Sequence, residues 1–426
     1  MARQEELIVG LDVGASKVAA VVAKRSPAGL TLVGCGFAPL VSDGQVALHD
    51  RVRRGTVIDA DATIQAVQDA VREAEVSAGC SVHSAIVGIG GAHFRGVNSH
   101  GVIPVRRGEV RAEDIERVLD AARTIAFPAE RQVLHVLPQN YVLDDQEGIV
   151  DPLGMVGVRL EARVHVVTAS VSAVHNVIRC CQRAGVEPVE LVWAPLAAAE
   201  ALLTPDEKEL GVAFWDLGAG TTDVLIFHRG GLRFSYSLGM GGACITSDVA
   251  QGCHTTLHEA ELIKVRYGCA LRSEVSEQEV VDVTGLGGRP PHAVPLRELA
   301  WMIEARAEEI LNLVWQEARK VEANQYTRCG AVIAGGGAML SAIDRLLQQV
   351  SGVQVRVARR CILPQSEETE VAERVLADPT YAAAVGLVAM HERARLRPRN
   401  DVAADGGGRW NRAWSRVSSF LRALWE

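Results

Sequence analysis

Two short segments of the chain place acidic side chains next to a glycine turn between apolar stretches. The longer segment, AFWDLGAGTTDVLIF, covers Ala213–Phe227. Its carboxylates, glycines and hydroxyls are Asp216, Gly218, Gly220, Thr221, Thr222 and Asp223. Glycine lets the main chain approach a ligand closely, so that backbone N–H groups can bind phosphate oxygens, and carboxylates suit the metal ion that accompanies a nucleotide. The segment therefore predicts either a phosphate-binding loop or an ordinary β-hairpin.

The N-terminal segment LIVGLDVGASKVAAVVAK, Leu7–Lys24, repeats this arrangement. An apolar stretch leads to Asp12, and a turn follows at Gly14 and Ser16. Lys17 comes next, where its amine can reach a phosphate as a point charge. The alternative is a plain hairpin with an exposed lysine. Because the strand–Asp–turn–strand unit occurs twice, we favour two related halves that each offer one loop to a shared ligand.

Two further segments are suited to binding a ligand. The stretch AVIAGGGAML is an apolar strand followed by Gly335, Gly336 and Gly337. Three consecutive glycines indicate a main chain that passes very close to another group, although a strand-to-helix turn is the simpler interpretation. The pattern of His258–Tyr267 predicts a helix that carries Glu261 and Lys264 three residues apart on one face.

Length and composition exclude several classes of protein. A chain of 426 residues predicts two or more domains. Its net charge of −8 argues against nucleic-acid binding, which needs a basic face. Nine cysteines without a CxxC pair favour free thiols in a reducing compartment. We expect no signal peptide, because the N-terminal residues do not place a basic region before an apolar core, and no membrane span, because no uncharged apolar run reaches the required length.

The pattern of elements changes in the middle of the first half and again near the end. Short β segments around one helix predict a compact α/β insertion at residues 85–162. Pro295–Ala323 reads as one long amphipathic helix. Residues 394–408, ARLRPRNDVAADGGG, are polar and glycine-ended, and they predict a flexible tether.

The last 18 residues, RWNRAWSRVSSFLRALWE, separate completely into two faces on a helical wheel. The apolar face contains Trp410, Trp414, Val417, Phe420, Leu421, Leu424 and Trp425, and the polar face includes Arg412 and Arg416. Tryptophan prefers the headgroup depth of a bilayer, and arginine pairs with anionic lipid. Residues 409–426 therefore predict a helix that lies in a membrane interface; the alternative is a helix docked on the protein's own surface.

Three loops together carry a resemblance. LDVGASK, WDLGAGTTD and IAGGGAML resemble, in order and spacing, the phosphate-1, phosphate-2 and adenosine motifs of the superfamily of actin, heat-shock chaperones and sugar kinases. HVLPQNY, DPLGMVGVRLEARVHVVT, IKVRYGCAL, GGRPP, YAAAVGL and the terminal amphipathic segment narrow the resemblance to the FtsA family of bacterial cell-division actin homologues, over residues 7–426. The resemblance implies an α/β, actin-like two-lobed ATPase fold with an inserted subdomain, called 1C, and a tethered terminal helix.

The resemblance also implies a domain plan and a ligand. We expect subdomain 1A at 1–84 and 163–204, with 1C inserted at 85–162. Subdomain 2A is expected at 205–246 and 330–393, with 2B inserted at 247–329. A linker at 394–408 and a membrane-targeting helix at 409–426 complete the plan. The implied ligand is ATP with Mg²⁺. Asp12 and Asp216 would orient the metal through water, with Asp223 at the end of the second loop. The implied phosphate contacts are Gly14, Ser16 and Lys17 on one side and Gly218, Gly220, Thr221 and Thr222 on the other. Gly335, Gly336 and Gly337 would pass under the nucleoside, with Glu261 and Lys264 at the ribose or adenine.

Two positions depart from the superfamily pattern. Ala15 stands where a threonine hydroxyl usually meets the phosphate. Ala194 stands in the slot before Pro195 where a chaperone-like pattern has a carboxylate. Because hydrolysis needs a group that positions the attacking water, we expect slow ATP turnover at most, and we favour ATP as an assembly ligand.

The resemblance finally implies a role in division. The protein would polymerise on the cytoplasmic face of the inner membrane at the septum, bind anionic lipid, and tether the FtsZ ring. The FtsZ C-terminal tail would bind subdomain 2B, where Glu304, Arg306 and Glu308 are our choice of contacts, and later division proteins would bind 1C. The alternatives are a pilus-assembly actin homologue, which lacks the terminal helix, and a small-molecule kinase, for which no segment offers a catalytic aspartate or substrate pocket.

Overall fold

The structure, a computed structural model, describes residues 6–26, 29–40, 52–53, 56–57, 59–363 and 369–396. The strands are β1 Leu7–Val13, β2 Lys17–Ser26, β3 Gly29–Pro39, β4 Val52–Arg53, β5 Thr56–Val57, β6 Ser84–Ile89, β7 Arg95–Pro104, β8 Arg131–Leu143, β9 Gln146–Ile149, β10 Arg159–Ser170, β11 Glu187–Trp193, β12 Val212–Leu217, β13 Thr222–His228, β14 Gly231–Leu238, β15 Val280–Val283, β16 His292–Pro295, β17 Ala331–Ala334 and β18 Val355–Val357. The helices are α1 Ala60–Ala78, α2 Ala112–Arg123, α3 Val171–Arg183, α4 Ala194–Leu202, α5 Pro205–Leu210, α6 Gly242–Gly252, α7 Leu257–Tyr267, α8 Leu296–Arg319, α9 Ile343–Ser351, α10 Glu370–Ala377 and α11 Ala382–Leu396.

The first lobe is built on a five-stranded sheet in the order β11-β6-β1-β2-β3. Its central strands are apolar on both faces because helices cover both sides, as is usual for buried parallel strands. β1 is parallel to β6 and antiparallel to β2, and β6 is parallel to β11. The parallel strands therefore end together at one edge of the sheet, immediately beside the turn that follows Asp12.

The second lobe repeats this topology. Its sheet has the order β14-β13-β12-β17-β18, with β12 antiparallel to β13 and parallel to β17. The first hairpin of each lobe closes in the same register, with Val13 opposite Val18 and Leu217 opposite Thr222. The prediction of two related halves is therefore confirmed.

Helices α4 and α11 pack against each other, and α4 contacts strands of both sheets. A Cβ atom on Gly386 would lie 1.8 Å from the Ala197 carbonyl oxygen, so the helices touch backbone to backbone at this point. Helix α10 contacts β3, α11 contacts β1, β2 and β6, and Arg25 of β2 donates to Glu392 of α11 at 2.9 Å. The expected placement of all of 330–393 in subdomain 2A is therefore wrong, because this final part of the chain packs on the first lobe. The helix also continues to Leu396, three residues into the expected linker.

The inserted domain, which we define as β7–β10 with α2, has its own four-stranded sheet in the order β7-β10-β8-β9 and its own apolar core. The expected boundary at residue 85 is wrong by several residues, because β6 pairs with β1 in the first sheet. The boundary at 162 cuts β10, all of which pairs with β7 and β8. β9 lies at one edge of this sheet and pairs with β8.

Helix α8 covers the outer face of the second sheet. Trp315 lies 6.1 Å from Trp215 between ring centroids, and both side chains are fully buried. The helix ends at Arg319, a little before the expected Ala323, because Glu322 adopts a left-handed conformation with φ of 54°. Within the described ranges, no helix combines the length and apolar character needed to cross a bilayer.

The expected linker from residue 397 onward and the expected amphipathic helix at 409–426 lie outside the described residues. The membrane contacts expected there are Trp410, Arg412, Trp414, Arg416, Val417, Phe420, Leu421, Leu424 and Trp425.

Candidate functional site

The two hairpin turns that the sequence singled out have the same hydrogen-bonded form. The N–H of Gly14 donates to the carbonyl of Lys17 at 3.0 Å, and the N–H of Gly218 donates to the carbonyl of Thr221 at 2.9 Å. Each turn directly follows an aspartate on its first strand, Asp12 or Asp216. The first turn is also tied to its lobe, because the Ser16 carbonyl accepts from the Leu40 N–H at 2.9 Å.

Charged groups of both lobes lie near Lys17 and act on its pKa. Burial raises the pKa of Asp12, and the nearby Lys17 opposes that rise. Burial, followed by the charge of Asp12, raises the pKa of Asp216 to about 6, again opposed by Lys17. Burial lowers the pKa of Lys17, while Asp12, Asp216 and Asp378 raise it. Its amine donates to the Thr380 carbonyl. Two carboxylates from different lobes thus face one amine, an arrangement that suits a multivalent anion with its cation.

Asp223 lies behind Asp216 in the sheet, directly opposite it in the β12–β13 pair. It is almost fully buried, with 2 % of its surface exposed. Burial and the charge of Asp216 raise its pKa to about 8, although hydrogen bonds from Ser237 and Thr221 lower it. The Thr221 hydroxyl donates to Asp223 Oδ2 at 3.0 Å, and the Ser237 hydroxyl donates to Oδ1. Asp223 therefore buttresses the second turn from within the fold.

The threonine hydroxyls of the second turn are used by the protein itself. Thr221 donates to Asp223, and Thr222 Oγ1 donates to the Met240 carbonyl at 2.9 Å. Thr222 is buried on the face of β13 opposite to Asp223, since neighbouring residues of a strand alternate. A phosphate at this turn would therefore have to bind main-chain N–H groups rather than these two hydroxyls.

The three glycines follow β17, which is parallel to β12 and ends beside Asp216. Gly335 has φ of 82°, and a Cβ atom there would lie 2.5 Å from Asp216 Oδ1 and 2.7 Å from the Leu217 carbonyl oxygen. Only glycine fits this position. Gly336 and Gly337 begin the 3-10 turn Gly336–Met339. The glycine turn is thus packed against the second hairpin, as its proposed role requires.

Glu261 and Lys264 form one network with the start of α6. Lys264 Nζ donates to Glu261 Oε2 at 2.6 Å, to Thr246 Oγ1 at 2.8 Å and to the Gly242 carbonyl at 3.2 Å. The N–H of Gly242 in turn donates to the Gly218 carbonyl at 2.9 Å. The network therefore lies directly beside the second turn, and Gly220 lies within that turn.

The two alanine substitutions are located at the site. Ala15 is in the first turn. Ala194 begins α4 at the end of β11, and a Cβ atom on Gly88 would lie 3.6 Å from the Ala194 Cβ and 3.4 Å from Asp12 Oδ1. The methyl group of Ala194 thus occupies the neighbourhood of Asp12 where a carboxylate was expected by the superfamily pattern.

The residues chosen on α8 lie on two different faces. The Arg272 N–H donates to Glu304 Oε2 at 2.7 Å, and Glu308 is exposed. Arg306 points elsewhere, because its guanidinium bonds Asp248 at 2.5 and 3.1 Å and Glu309 at 2.6 Å. Trp301, which was not chosen, is 56 % exposed, and its spacing places it on the face of Glu304 and Glu308.

Three residues close to the candidate site were not singled out from the sequence. Ser237 and Thr246 support charged site residues, and Met339 is 67 % exposed on the glycine turn. A signal for Ser237 exists in the sequence FSYSL, where small polar residues alternate with larger apolar ones and so mark one face of β14. Within the described ranges, no three His, Cys, Asp or Glu side chains converge well enough to hold a metal ion by themselves.

Comparison with solved structures defines the class of fold. The PilM–PilN type IV pilus biogenesis complex matches 90% of this chain and 98% of its own with a TM-score of 0.62 at 19% identity. The MreB5 protein of Spiroplasma citri bound to ADP matches 93% and 99% with a TM-score of 0.56 at 13% identity. The fold is therefore that of the actin-like ATPases.

Sequence comparison then gives the family. A family model described as an SHS2 domain inserted in FtsA matches residues 91–168, and a model of cell division protein FtsA matches 213–386. FtsA of Pseudomonas aeruginosa is 41% identical over 90% of this chain and 88% of its own, and FtsA of Escherichia coli K12 is 35% identical over 99% of both. The chain belongs to the FtsA family of cell-division proteins. This membership favours cell division over the pilus-assembly and kinase alternatives.

Proposed function

We propose that this division protein binds ATP with Mg²⁺ between its two hairpins and uses the nucleotide to assemble on the inner face of the plasma membrane, where it tethers the FtsZ ring. The observation that carries the nucleotide proposal is the pair of matching turns. They belong to different lobes, close in the same register, and bring Asp12 and Asp216 to the same lysine.

The residues fit the metal as well as the nucleotide. Two carboxylates with raised pKa values are incompletely neutralised by one amine, so a divalent cation between them is favourable. Mg²⁺ usually keeps several waters and takes few protein ligands, which agrees with Asp12 and Asp216 acting through water. The cation would neutralise phosphate charge. Gly14, Ser16, Gly218 and Gly220 would hold phosphate through the turns, and Gly335–Gly337 would lie under the nucleoside.

Lys17 provides the first test. The Lys17→Met variant removes the positive charge that would contact the phosphate but keeps a side chain with a similar apolar part. We expect ATP affinity, measured by isothermal titration calorimetry with Mg²⁺, to fall by roughly tenfold or more, since hydrogen bonds to charged groups contribute about 1.5–3 kcal/mol. Lys320→Met removes an exposed lysine immediately after α8, whose amine donates to Glu317 at 2.7 Å, and this variant should bind ATP like the wild type. Equal affinity in both variants would exclude this placement of the phosphates.

Hydrolysis should be slow. Close to Asp12, Ala194 offers only a methyl group, which cannot position the attacking water as a carboxylate there would. We expect turnover below about 1 s⁻¹, the slow end of the usual enzyme range. Phosphate release by the purified chain measures this directly. Faster turnover would mean that ATP is consumed as fuel rather than held as an assembly ligand.

The FtsZ tail is proposed to bind the second lobe on α8. Exposed Trp301 supports an anchor for a short peptide, with Glu304 and Glu308 along the same face. Arg306 contributes indirectly by holding α6 through Asp248. Fluorescence anisotropy with a labelled FtsZ C-terminal peptide should show binding that Trp301→Ala weakens by about tenfold or more. Val280→Ala, at an exposed apolar residue of β15, is the control. If Trp301→Ala binds the peptide as tightly as the wild type, the proposed FtsZ-binding face on α8 is wrong.

Membrane attachment is proposed for residues 409–426, supported by the complete separation of apolar and basic residues in that sequence. Each arginine near anionic lipid contributes about 1 kcal/mol. Deletion of 409–426 should abolish co-sedimentation with vesicles that contain phosphatidylglycerol, and a scrambled segment of equal composition should restore it poorly. A truncated chain that still sediments fully with the vesicles would show that attachment lies elsewhere. Self-assembly into filaments and the binding of later division proteins by the inserted domain complete the proposal.

A further inference from the structure

The inserted domain meets the second lobe along β14, the outermost strand of the second sheet. β7, β8 and β10 all contact it. The inserted domain is continuous with the first lobe in sequence, through β6 before it and α3 after it. It therefore contacts both lobes of the molecule, and a movement of one lobe relative to the other acts on it.

The junction is a network of polar groups around the buried side chains of His165 and Ser235. His165 of β10 is 2 % exposed, and its two ring nitrogens lie 2.7 Å from Asn98 Oδ1 and 2.8 Å from Ser235 Oγ. Burial lowers the pKa of His165 to about 4, so the ring is neutral near pH 7. Since Asn98 Oδ1 can only accept, Nδ1 donates to it, and Nε2 accepts from the Ser235 hydroxyl.

Further bonds in the network reach the main chain of β14. The Asn98 side-chain amide donates to the Arg233 carbonyl at 3.0 Å. Gln139 Nε2 donates to Asn98 Oδ1 at 2.9 Å and to the Leu232 carbonyl at 2.7 Å. These bonds lie on the more exposed side of the junction, whereas the bond between His165 and Ser235 is buried. A buried hydrogen bond fixes one geometry, because each partner left unpaired costs free energy.

The same strand also supports the second hairpin turn. Ser237, two residues after Ser235, donates to Asp223, which in turn accepts from Thr221 of the turn. Residues two apart on a strand lie on one face, about 7 Å from each other. Thus one face of β14 bonds the candidate phosphate loop through Ser237 and the inserted domain through Ser235.

We propose that β14 couples the second hairpin turn to the inserted domain, so that nucleotide binding changes the dynamics of that domain through Ser237, Ser235 and His165. This rests on the proposed nucleotide site. Occupation of the turn acts on Thr221 and Asp223, and Ser237 connects them to β14. If β14 shifts, the buried junction at His165 has two outcomes: the inserted domain moves with the strand, or the hydrogen bonds of His165 break. Packed interfaces usually respond in this way, by switching between distinct arrangements.

The test is amide hydrogen exchange of the full chain with and without ATP and Mg²⁺, alongside calorimetric ATP affinity. In the wild type we expect exchange in β7 and β10 to change by roughly threefold or more on binding. Ser235→Ala should bind ATP within about twofold of wild type but lose the response in β7 and β10. Asn98→Ala, at an exposed residue, should lose it too, which keeps the test valid if Ser235→Ala does not fold.

Ser99→Ala is the matched control, because Ser99 Oγ donates to the Ala122 carbonyl at 2.7 Å inside the inserted domain. It should keep the full response. A wild-type chain that binds ATP without any change in β7 and β10 would overturn the coupling and leave the nucleotide site standing, as would Ser235→Ala and Asn98→Ala variants that respond fully. A chain that binds no ATP would refute both proposals.

Discussion

Asp223 carries the clearest electrostatic conflict at the scale of single residues. It is buried, accepts two hydroxyl hydrogen bonds, and faces the carboxylate of Asp216 across the strand pair. Its pKa of about 8 lies above the ordinary value of 3.8, so the folded state without nucleotide holds a proton that the unfolded state releases. Stability supplied by this proton must therefore decline as pH rises from about 4 to about 8.

Replacement of Asp223 by asparagine tests this conflict. Asp223→Asn cannot ionise, so its free energy of unfolding relative to wild type should increase with pH over this range, by up to about 1.4 kcal/mol per pH unit. Urea denaturation between pH 5 and pH 8, without nucleotide or Mg²⁺, measures the difference. Asp282→Asn, at an exposed residue of β15, should show no such trend. If the difference in unfolding free energy between Asp223→Asn and the wild type does not change with pH, the pKa of Asp223 is not raised as described.

The sequence predicted which carboxylates and glycines form the site but not the direction of every side chain. Asp12, Asp216 and Gly335 could be found because a residue type and a turn together specify them. Thr222 could not be resolved in the same way, since its hydroxyl bond to the Met240 carbonyl depends on a loop 18 residues later. The support from Ser237 likewise depends on a strand pairing that no local pattern fixes.

At the scale of elements, α6 and α7 form a support for the second turn. The main chain at the start of α6 bonds the turn, and Lys264 of α7 bonds that same first turn of α6 together with Thr246 and Glu261. The second turn thus depends on a side chain from a neighbouring helix. The spacing of Glu261 and Lys264 predicted that they share one face of a helix, whereas the role of Thr246 between them became evident only from the packing of the two helices.

Lys264→Met should therefore weaken ATP binding. We expect a loss of roughly tenfold or more, because the variant leaves Glu261 and Thr246 without their partly buried ammonium partner beside the proposed nucleotide site. Calorimetry with ATP and Mg²⁺ gives the affinity, and Lys320→Met again serves as the control. If Lys264→Met binds like that control, the α6–α7 network supports the fold alone.

The crossing of α4 and α11 makes a separate prediction about stability. In Gly386→Ala the new methyl group would meet the Ala197 carbonyl, so we expect a loss of about 1–3 kcal/mol in the free energy of unfolding, as overpacked cores show. Gly90→Ala, where no non-adjacent atom of the described residues lies within 4 Å of the new methyl group, should change stability much less. Equal denaturation midpoints for the two variants would contradict a backbone contact at this crossing.

At the scale of the whole molecule, the repeated sheet topology explains why two distant glycine turns meet. Each lobe ends its parallel strands at the same edge, and the hairpin that opens each sheet turns there. The repeat was predictable from two similar sequence segments. The packing of α10 and α11 on the first lobe was not predictable, because a local sequence pattern predicts a helix but not the sheet against which the helix packs.

The central claim is that Asp12 and Asp216 receive the cation of a bound nucleotide, and the Mg²⁺ dependence of ATP affinity tests it most directly. Titrations of the full chain with and without Mg²⁺ should show tighter binding with the metal in the wild type. In Asp216→Asn the gain from Mg²⁺ should disappear, while binding without the metal stays the same or improves because a negative charge near the phosphates is gone. A variant that keeps the full gain from Mg²⁺, or a wild type that binds no ATP, would contradict the account.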